Sequence, residues 1–364
     1  MNTTSTKIKN GYATNINFKK ASGVKALGLA ILLSTGLNGF AQESKKGKVN
    51  IGFVYPVSTN GTHAALDTNV FSLNALVGIS AAEKGLSFAG LSNIVRKNTS
   101  GTQFAGFSNH IGGKASGAQF AGFINTYGGG NGAAIAGFAN ISKENSGAQV
   151  AGFMNWTSKN VSAVQVAGFM NKAADVKGSQ IAGFINIAKK VKGVQLAGFI
   201  NVADSSDYPI GIINIVKNGE KSIALTTNQN LTTMATFRSG GKVLYGIIGA
   251  GYNFKNKDEV YAFEAGLGAH FFQSEHFRLN AELTGSSLQD FKRGNYFKST
   301  FQLLPSLRIG QNLELFAGPS FNFVSTNTEE GKTLQKHYVK SWDRKDNNLH
   351  ALFLGYTGGL AISF

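Results

Sequence analysis

The sequence predicts an all-β chain in two parts: a parallel β-solenoid of 15–16-residue repeats, then an antiparallel outer-membrane-type β-barrel of about eight strands. Three observations predict it. An Ala-Gly-Phe/Leu-x-Asn core returns eight times, its asparagines at 93, 109, 125, 140, 155, 171, 186 and 201. From about residue 221 the chain changes to long stretches of strict apolar/polar alternation. The last strand carries a full apolar face and ends on an aromatic residue, Phe364.

The N-terminus reads as a secretory signal over 1–41. Lys7, Lys9, Lys19, Lys20 and Lys25 precede the apolar run "ALGLAILLSTGL" and small residues before a cleavage point expected after Ala41. Twelve apolar residues are too few for a helical span of about 30 Å of hydrocarbon. Removing this segment takes away five lysines and no acid, so the formal charge falls from +16 to +11. The chain has no cysteine, which excludes disulfide and thiol chemistry and a lipid-bearing cysteine. Lead-in strands are expected over 42–84.

The repeat region spans 85–217. Eight copies in near-constant period define a repeat architecture. "LVGIS" (76–80) reads as a worn first copy and "IGIIN", ending at Asn214, as a degenerate ninth. Each unit could be one coil of a solenoid or one strand of a single larger antiparallel barrel. Three points favour the coil. Glycine recurs at one place, as at a corner or a close backbone approach. Like residues return at like places, which parallel stacking at about 4.8 Å rewards with amide ladders. The connections do not alternate short and long, as those of a membrane barrel would. In the coil reading Gly198 turns the chain, and Val194, Leu196, Ile200 and Val202 fill the interior. Gln195 and Asn201 then stitch each coil to the next. Two units depart from the pattern: Ala134 stands where Gln is expected, and Ala163 where Gly is. The variable connections 126–132 and 156–163 are the expected contact segments, with Tyr127 and Trp156 as their aromatics.

The barrel is expected over 218–364, with strands near 221–228, 230–238, 242–254, 259–272, 276–286, 296–308, 312–324 and 350–364. In "HFRLNAELTG", Phe277, Leu279, Ala281 and Leu283 oppose Arg278, Asn280 and Glu282. Such strands are the signature of a transmembrane barrel. Gly359, Leu360, Ile362 and Phe364 form the expected outer-membrane assembly signal, read by barrel-assembly machinery. Eight strands make an interior filled by side chains, where Arg278, Glu282, Glu264, Arg308 and Glu314 are expected to pair. With eight strands the repeats lie at the same end as the C-terminus; nine would put them at the other.

The G-x-Q-φ-A-G-F-x-N array, with "VNIGFVYPVSTNG" (49–61) and "IGIINIVKNGEKS" (210–222), resembles a surface-repeat family of Gram-negative bacteria. The resemblance implies an outer-membrane or surface location and supplies no catalytic residues. It points to a non-enzymatic binding, adhesion or envelope-structural protein. The expected partners are outer-membrane lipid and acidic glycan or lipopolysaccharide, not nucleic acid. The alternatives are a larger transport barrel and an outer-membrane hydrolase using His270 with Glu264 or Glu282. The six histidines are scattered, and no nucleotide loop or metal-ligand spacing occurs. No cofactor is expected.

Overall fold

The parallel in-register stacking expected of the repeats is what a computed structural model of the chain shows. It describes residues 48–292, 294–343 and 348–364. The expected signal segment, 1–41, lies outside the described residues. Twenty-two short strands form the repeat sheet, and the remaining strands form a second, closed sheet.

A typical solenoid coil has a strand ending in Gln-φ-Ala, a bend at Gly-Phe, and a strand carrying the Asn. Ser179–Ala182 and Ile185–Ile187 are one such pair. Successive coils pair parallel, Gln165 on Gln180 on Gln195 and Asn171 on Asn186 on Asn201. A third short side closes the coil, with bridges such as Asn145 to Val161 to Val176. The lead-in strands join the same stack: Lys48–Val54 pairs parallel with Thr68–Ser80. "LVGIS" and "IGIIN" are both in register, Gly78 on Asn93 and Asn201 on Asn214.

The recurring glycine answers to close approach. A Cβ on Gly198 would lie 2.1 Å from the Gly183 carbonyl oxygen, and one on Gly152 2.0 Å from that of Gly137. No side chain fits between rungs at this corner.

The interior of the coil is the reverse of the expected one. Gln195, Ala197, Asn201 and Ala203 are buried, while Val194 and Leu196 face outward and Ile200 and Val202 are only half-buried. The reason is hydrogen-bond arithmetic. In a parallel stack each Asn of the ladder finds a donor below and an acceptor above, so its burial is compensated. The glutamine row is paired only in part, with Oε1 of Gln103, Gln119 and Gln195 left without a partner among the described residues. Asn93, Asn109, Asn125, Asn140, Asn155, Asn171, Asn186 and Asn201 each donate to the next Asn Oδ1 at 2.9–3.0 Å. Each also donates to a backbone carbonyl of the next coil, as Asn186 does to Leu196 at 2.7 Å. The aliphatic and aromatic residues that alternate with these amides are left outside or half-buried, while the third side of the coil keeps Val161, Val176 and Val191 inside.

The second sheet is a closed barrel of eight antiparallel strands. They are β1 (Glu220–Asn228), β2 (Thr232–Gly240), β3 (Leu244–Asn253), β4 (Tyr261–Phe271), β5 (Phe277–Gln289), β6 (Tyr296–Ile309), β7 (Leu313–Thr326) and β8 (Leu349–Ser363). β8 pairs with both β7 and β1, which leaves no free edge in the ring. One end has the short turns 241–243, 272–276 and 310–312 with the C-terminus. The other has a three-residue turn, 229–231, and the longer connections 254–260, 290–295 and 327–348, the last of which carries the helix α1 (Glu329–Thr333) and a strand, Lys340–Asp343, added beside β8.

Candidate functional site

Alternation along the barrel strands builds two surfaces with opposite chemistry. On β5, Phe277 and Leu283 point out, while Arg278, Asn280, Glu282 and Thr284 are buried inside. On β6, Phe297, Phe301, Leu303, Leu307 and Ile309 are exposed, with Thr300, Gln302, Leu304 and Ser306 inside. β4, β7 and β8 follow the same rule, and Leu360, Ile362 and Phe364 share the outer face. Gly359 sits half-buried beside them, its space bounded by the Leu225 carbonyl.

Aromatic rings crowd the two ends of this outer wall. Tyr252, Phe254, Tyr261 and Phe291 touch one another at the long-loop end, with ring centroids 5.1–6.2 Å apart. Phe271, Phe272, Phe277 and Phe364 are exposed at the short-turn end.

The lumen is filled. Near the short-turn end Arg278 forms a two-pronged pair with Glu314, its Nε donating to Oε1 at 3.0 Å, and its Nη1 donates to Glu220 at 2.8 Å. Asn280 donates to Glu314 at 2.9 Å and to Ser306 at 2.7 Å. At mid-height Arg238 lies 3.1 Å from Glu282, which also accepts from Tyr245 at 2.7 Å and Gln302 at 2.7 Å. Each carboxylate thus has a cation and neutral donors, the condition for burying charge. Towards the long-loop end a hydrophobic plug forms, with Leu334, just after α1, packed among Met234, Ala262, Tyr296, Val324 and Phe353. Cavities left between these groups measure 10 to 20 Å³, about one water each.

The expected lumen pairs are partly realised. Arg278 meets Glu314, but Glu282 is held by Arg238, 44 residues away on β2, a partner set by strand stagger. Glu264 accepts from Thr284 at 3.3 Å. Arg308 sits half-buried at the rim and, among the described residues, forms no ion pair. His270 does not face Glu264 or Glu282. It hydrogen-bonds Asn280 at 2.6 Å, lies 3.7 Å from Glu220 and stacks on Tyr245 at 4.4 Å. The chamber there holds about 10 Å³, too small for a substrate.

Tyr127, expected to face a ligand, is inside the coil instead. It occupies the volume left by Ala134, the one rung without glutamine between Gln119 and Gln149, and packs with Val95, Ile111 and Ala115. Gln149 donates to its hydroxyl at 2.7 Å. Burial pushes that hydroxyl's pKa up to about 12 against the opposing bonds of Gln149 and Ser142, so it stays protonated. Trp156 is outside and half-buried, with the Lys172 ammonium 3.9 Å over its ring.

One surface was not anticipated from the sequence. The outward residues of the solenoid corner stack as two aromatic or aliphatic ladders. Phe107, Phe123, Phe138, Phe153, Phe169, Phe184 and Phe199 lie face to face at 4.7–5.2 Å. Phe88, Phe104 and Phe120 begin the second, which Ile135, Val150, Ile181 and Leu196 continue. Along the first half of the second ladder, from Leu73 to Ile135, runs an open groove of about 670 Å³ floored by Ala-Gly backbone. The signal was present: no charged residue occurs between the Gln-equivalent and the Asn of any copy from 87 to 214. Against known proteins, no family model, no curated protein and no solved structure matches this chain.

Proposed function

We propose that the chain is a non-enzymatic envelope protein of outer-membrane type, a lipid-embedded barrel that anchors a rigid solenoid arm. The observation that carries this reading is the outer wall of the barrel, whose large exposed side chains are apolar and which is rimmed by aromatics at two levels. Tyr261 and Phe271 mark those levels on β4. Ten steps of about 3.4 Å at a tilt of about 40° give a belt of about 26 Å, close to the apolar band of about 25 Å in known barrels. The filled lumen supports anchoring over conduction, and the closed chamber at His270 supports a non-enzymatic role.

In outer-membrane barrels the short turns face the periplasm. The solenoid leaves the barrel at its short-turn end, so this reading puts the repeats in the periplasm rather than on the cell exterior. The assembly signal, Gly359, Leu360, Ile362 and Phe364, then lies at the periplasmic rim. The exposed lysines of the arm, among them Lys159, Lys177, Lys189, Lys190 and Lys192, fit it to contact acidic envelope polymer.

Cell fractionation and gel mobility test the reading. The expected result is recovery in the outer membrane, a heat-dependent shift in mobility, and no conductance in planar bilayers. A protein released into the soluble fraction overturns the anchor, and stable unitary conductance overturns the plugged lumen.

A further inference from the structure

We infer that the apolar corner of the solenoid lies on the lipid leaflet, so that the arm runs along the membrane instead of hanging free of it. The inference rests on the reading of the barrel as membrane-embedded. It begins at the junction. Arg238 points into the lumen, so its neighbour Ser239 and the paired Gly246 face outward. Yet both are buried, because the last coil covers them. A Cβ on Gly246 would lie 2.1 Å from the Gly211 oxygen and 2.2 Å from that of Ile212, the same approach that links Gly198 to Gly183. Asn214 completes the rung, its backbone N–H donating to Ser239 Oγ at 2.9 Å and its Nδ2 to the Ser239 carbonyl at 3.0 Å. The outer wall of β2 and β3 therefore takes the place of one more coil, and the stack leaves the barrel sideways.

The junction also sets which corner points where. Pro209 and Asp207 lie against Gly241, in the turn at the rim, while Gly211 and Ile212 lie against Gly246, farther along β3 towards the bilayer. Gly211 and Ile212 belong to the Ala-Gly-Phe corner. Ser205 and Ser206 pair with Lys190 and Val191 on the lysine side. The apolar corner thus faces the membrane and the lysine side faces away. The two ladders continue the outer wall of the barrel: the seven steps from Phe88 to Leu196, at about 4.8 Å each, extend the apolar surface by about 34 Å. A patch of this extent on one side of an otherwise polar arm calls for an apolar partner. Trp156 with Lys172 over it, just beyond the Asn row, has the chemistry of an interfacial anchor, an amphipathic ring and a cation that reaches to headgroups.

The absence of cysteine makes the test direct. Single cysteines are placed at Phe301 on the barrel wall, at Val150 and at Phe138 on the solenoid corner, and at Lys190 on the opposite side. Each carries an environment-sensitive dye. The proteins are reconstituted into phosphatidylethanolamine/phosphatidylglycerol vesicles with brominated acyl chains, and heat-modifiable mobility certifies folding. The expected result is loss of emission at V150C and F138C comparable to that at F301C, and little loss at K190C. Quenching at F301C without quenching at V150C and F138C overturns the inference while leaving the anchor intact. No quenching at F301C overturns the anchor itself. Dimer crosslinks through unlabelled V150C, together with a dye on labelled V150C shielded from both water and bromolipid, would instead assign the corner to a second copy and also overturn the inference.

Discussion

Glu83 is the residue whose environment contradicts its charge. It is buried in the third side of an early coil, where Asn69 and Ser72 donate to Oε1 at 3.1 and 2.8 Å while Oε2 has no partner. Burial raises its pKa, and the bonds from Ser72 and Asn69 only partly oppose this. The folded chain therefore holds the proton more tightly than the unfolded one. Its contribution is fully present below the ordinary carboxyl range and is lost as pH rises through the raised folded value. Glu83→Gln keeps the acceptor and supplies an N–H in place of the orphan oxygen. The expected outcome is a gain in stability of about 1 kcal/mol at about pH 8 that shrinks towards zero at about pH 4. Thermal unfolding of both proteins at the two pH values checks it; a gain equal at both would mean that Glu83 is not the titrating group. Tyr127 and Ala134 teach a related lesson. The sequence marks 134 as a departure and 127 as an aromatic in a variable connection. That one repairs the other is a contact between neighbouring coils, which periodicity does not reveal.

At the scale of the element, the ladder is the unit of stability. Asn155 donates to Asn171 at 2.9 Å and to the Val166 carbonyl at 2.8 Å, and accepts from Asn140 at 2.9 Å. Asn155→Leu deletes these bonds in the middle of the stack and leaves Asn171 Oδ1 buried without a donor. The expected cost is about 3 kcal/mol, that of orphaned polar groups plus a bulkier side chain in a close-packed interior. Urea unfolding followed by Trp156 emission in a Trp342→Phe background measures it, and a change below about 0.5 kcal/mol would count against the ladder. The stacking itself was readable from the period, because only parallel register repays identity. Which face turns inward was not. Strand segments such as 194–197 and Ile200–Ala203 alternate an amide or alanine with an aliphatic residue, and hydropathy alone puts the aliphatic residue inside. The asparagines win the interior because the stack satisfies each rung of their ladder, a pairing that exists only between coils. The barrel strands were easier: apolar residues outside and polar residues inside is the same alternation whether read from sequence or structure. Their lumen partners, Arg238 with Glu282 and His270 with Asn280, depend on strand stagger and stayed hidden.

At the scale of the whole molecule, the two sheets meet through close backbone approaches tied together by the Asn214 and Ser239 side chains. Gly219 approaches the Gly240 carbonyl and Gly246 those of Gly211 and Ile212, each at a distance where a Cβ would collide. Asn214, last of the Asn rungs, bonds to Ser239 rather than to water. The barrel thus caps the open end of the solenoid, an end that would otherwise expose unpaired strands and buried amides. Gly246→Val should separate the two functions of that contact. Its outward side chain cannot fit against the last coil, while the lumen, lined by the opposite face of β3, is undisturbed. The expected outcome is a barrel that keeps its heat-modifiable mobility and a solenoid that loosens from its last coil inward. Limited proteolysis then cuts near 217–219 at least about ten-fold faster than in the parent protein, the rate change that corresponds to about 1.4 kcal/mol of lost docking. Gly246→Ala, with one carbon instead of three, should show a smaller acceleration at the same site. Equal resistance of all three proteins would mean that the solenoid does not need the barrel wall as its final rung. The direction of the arm, set by that rung, would then have to come from the linker alone.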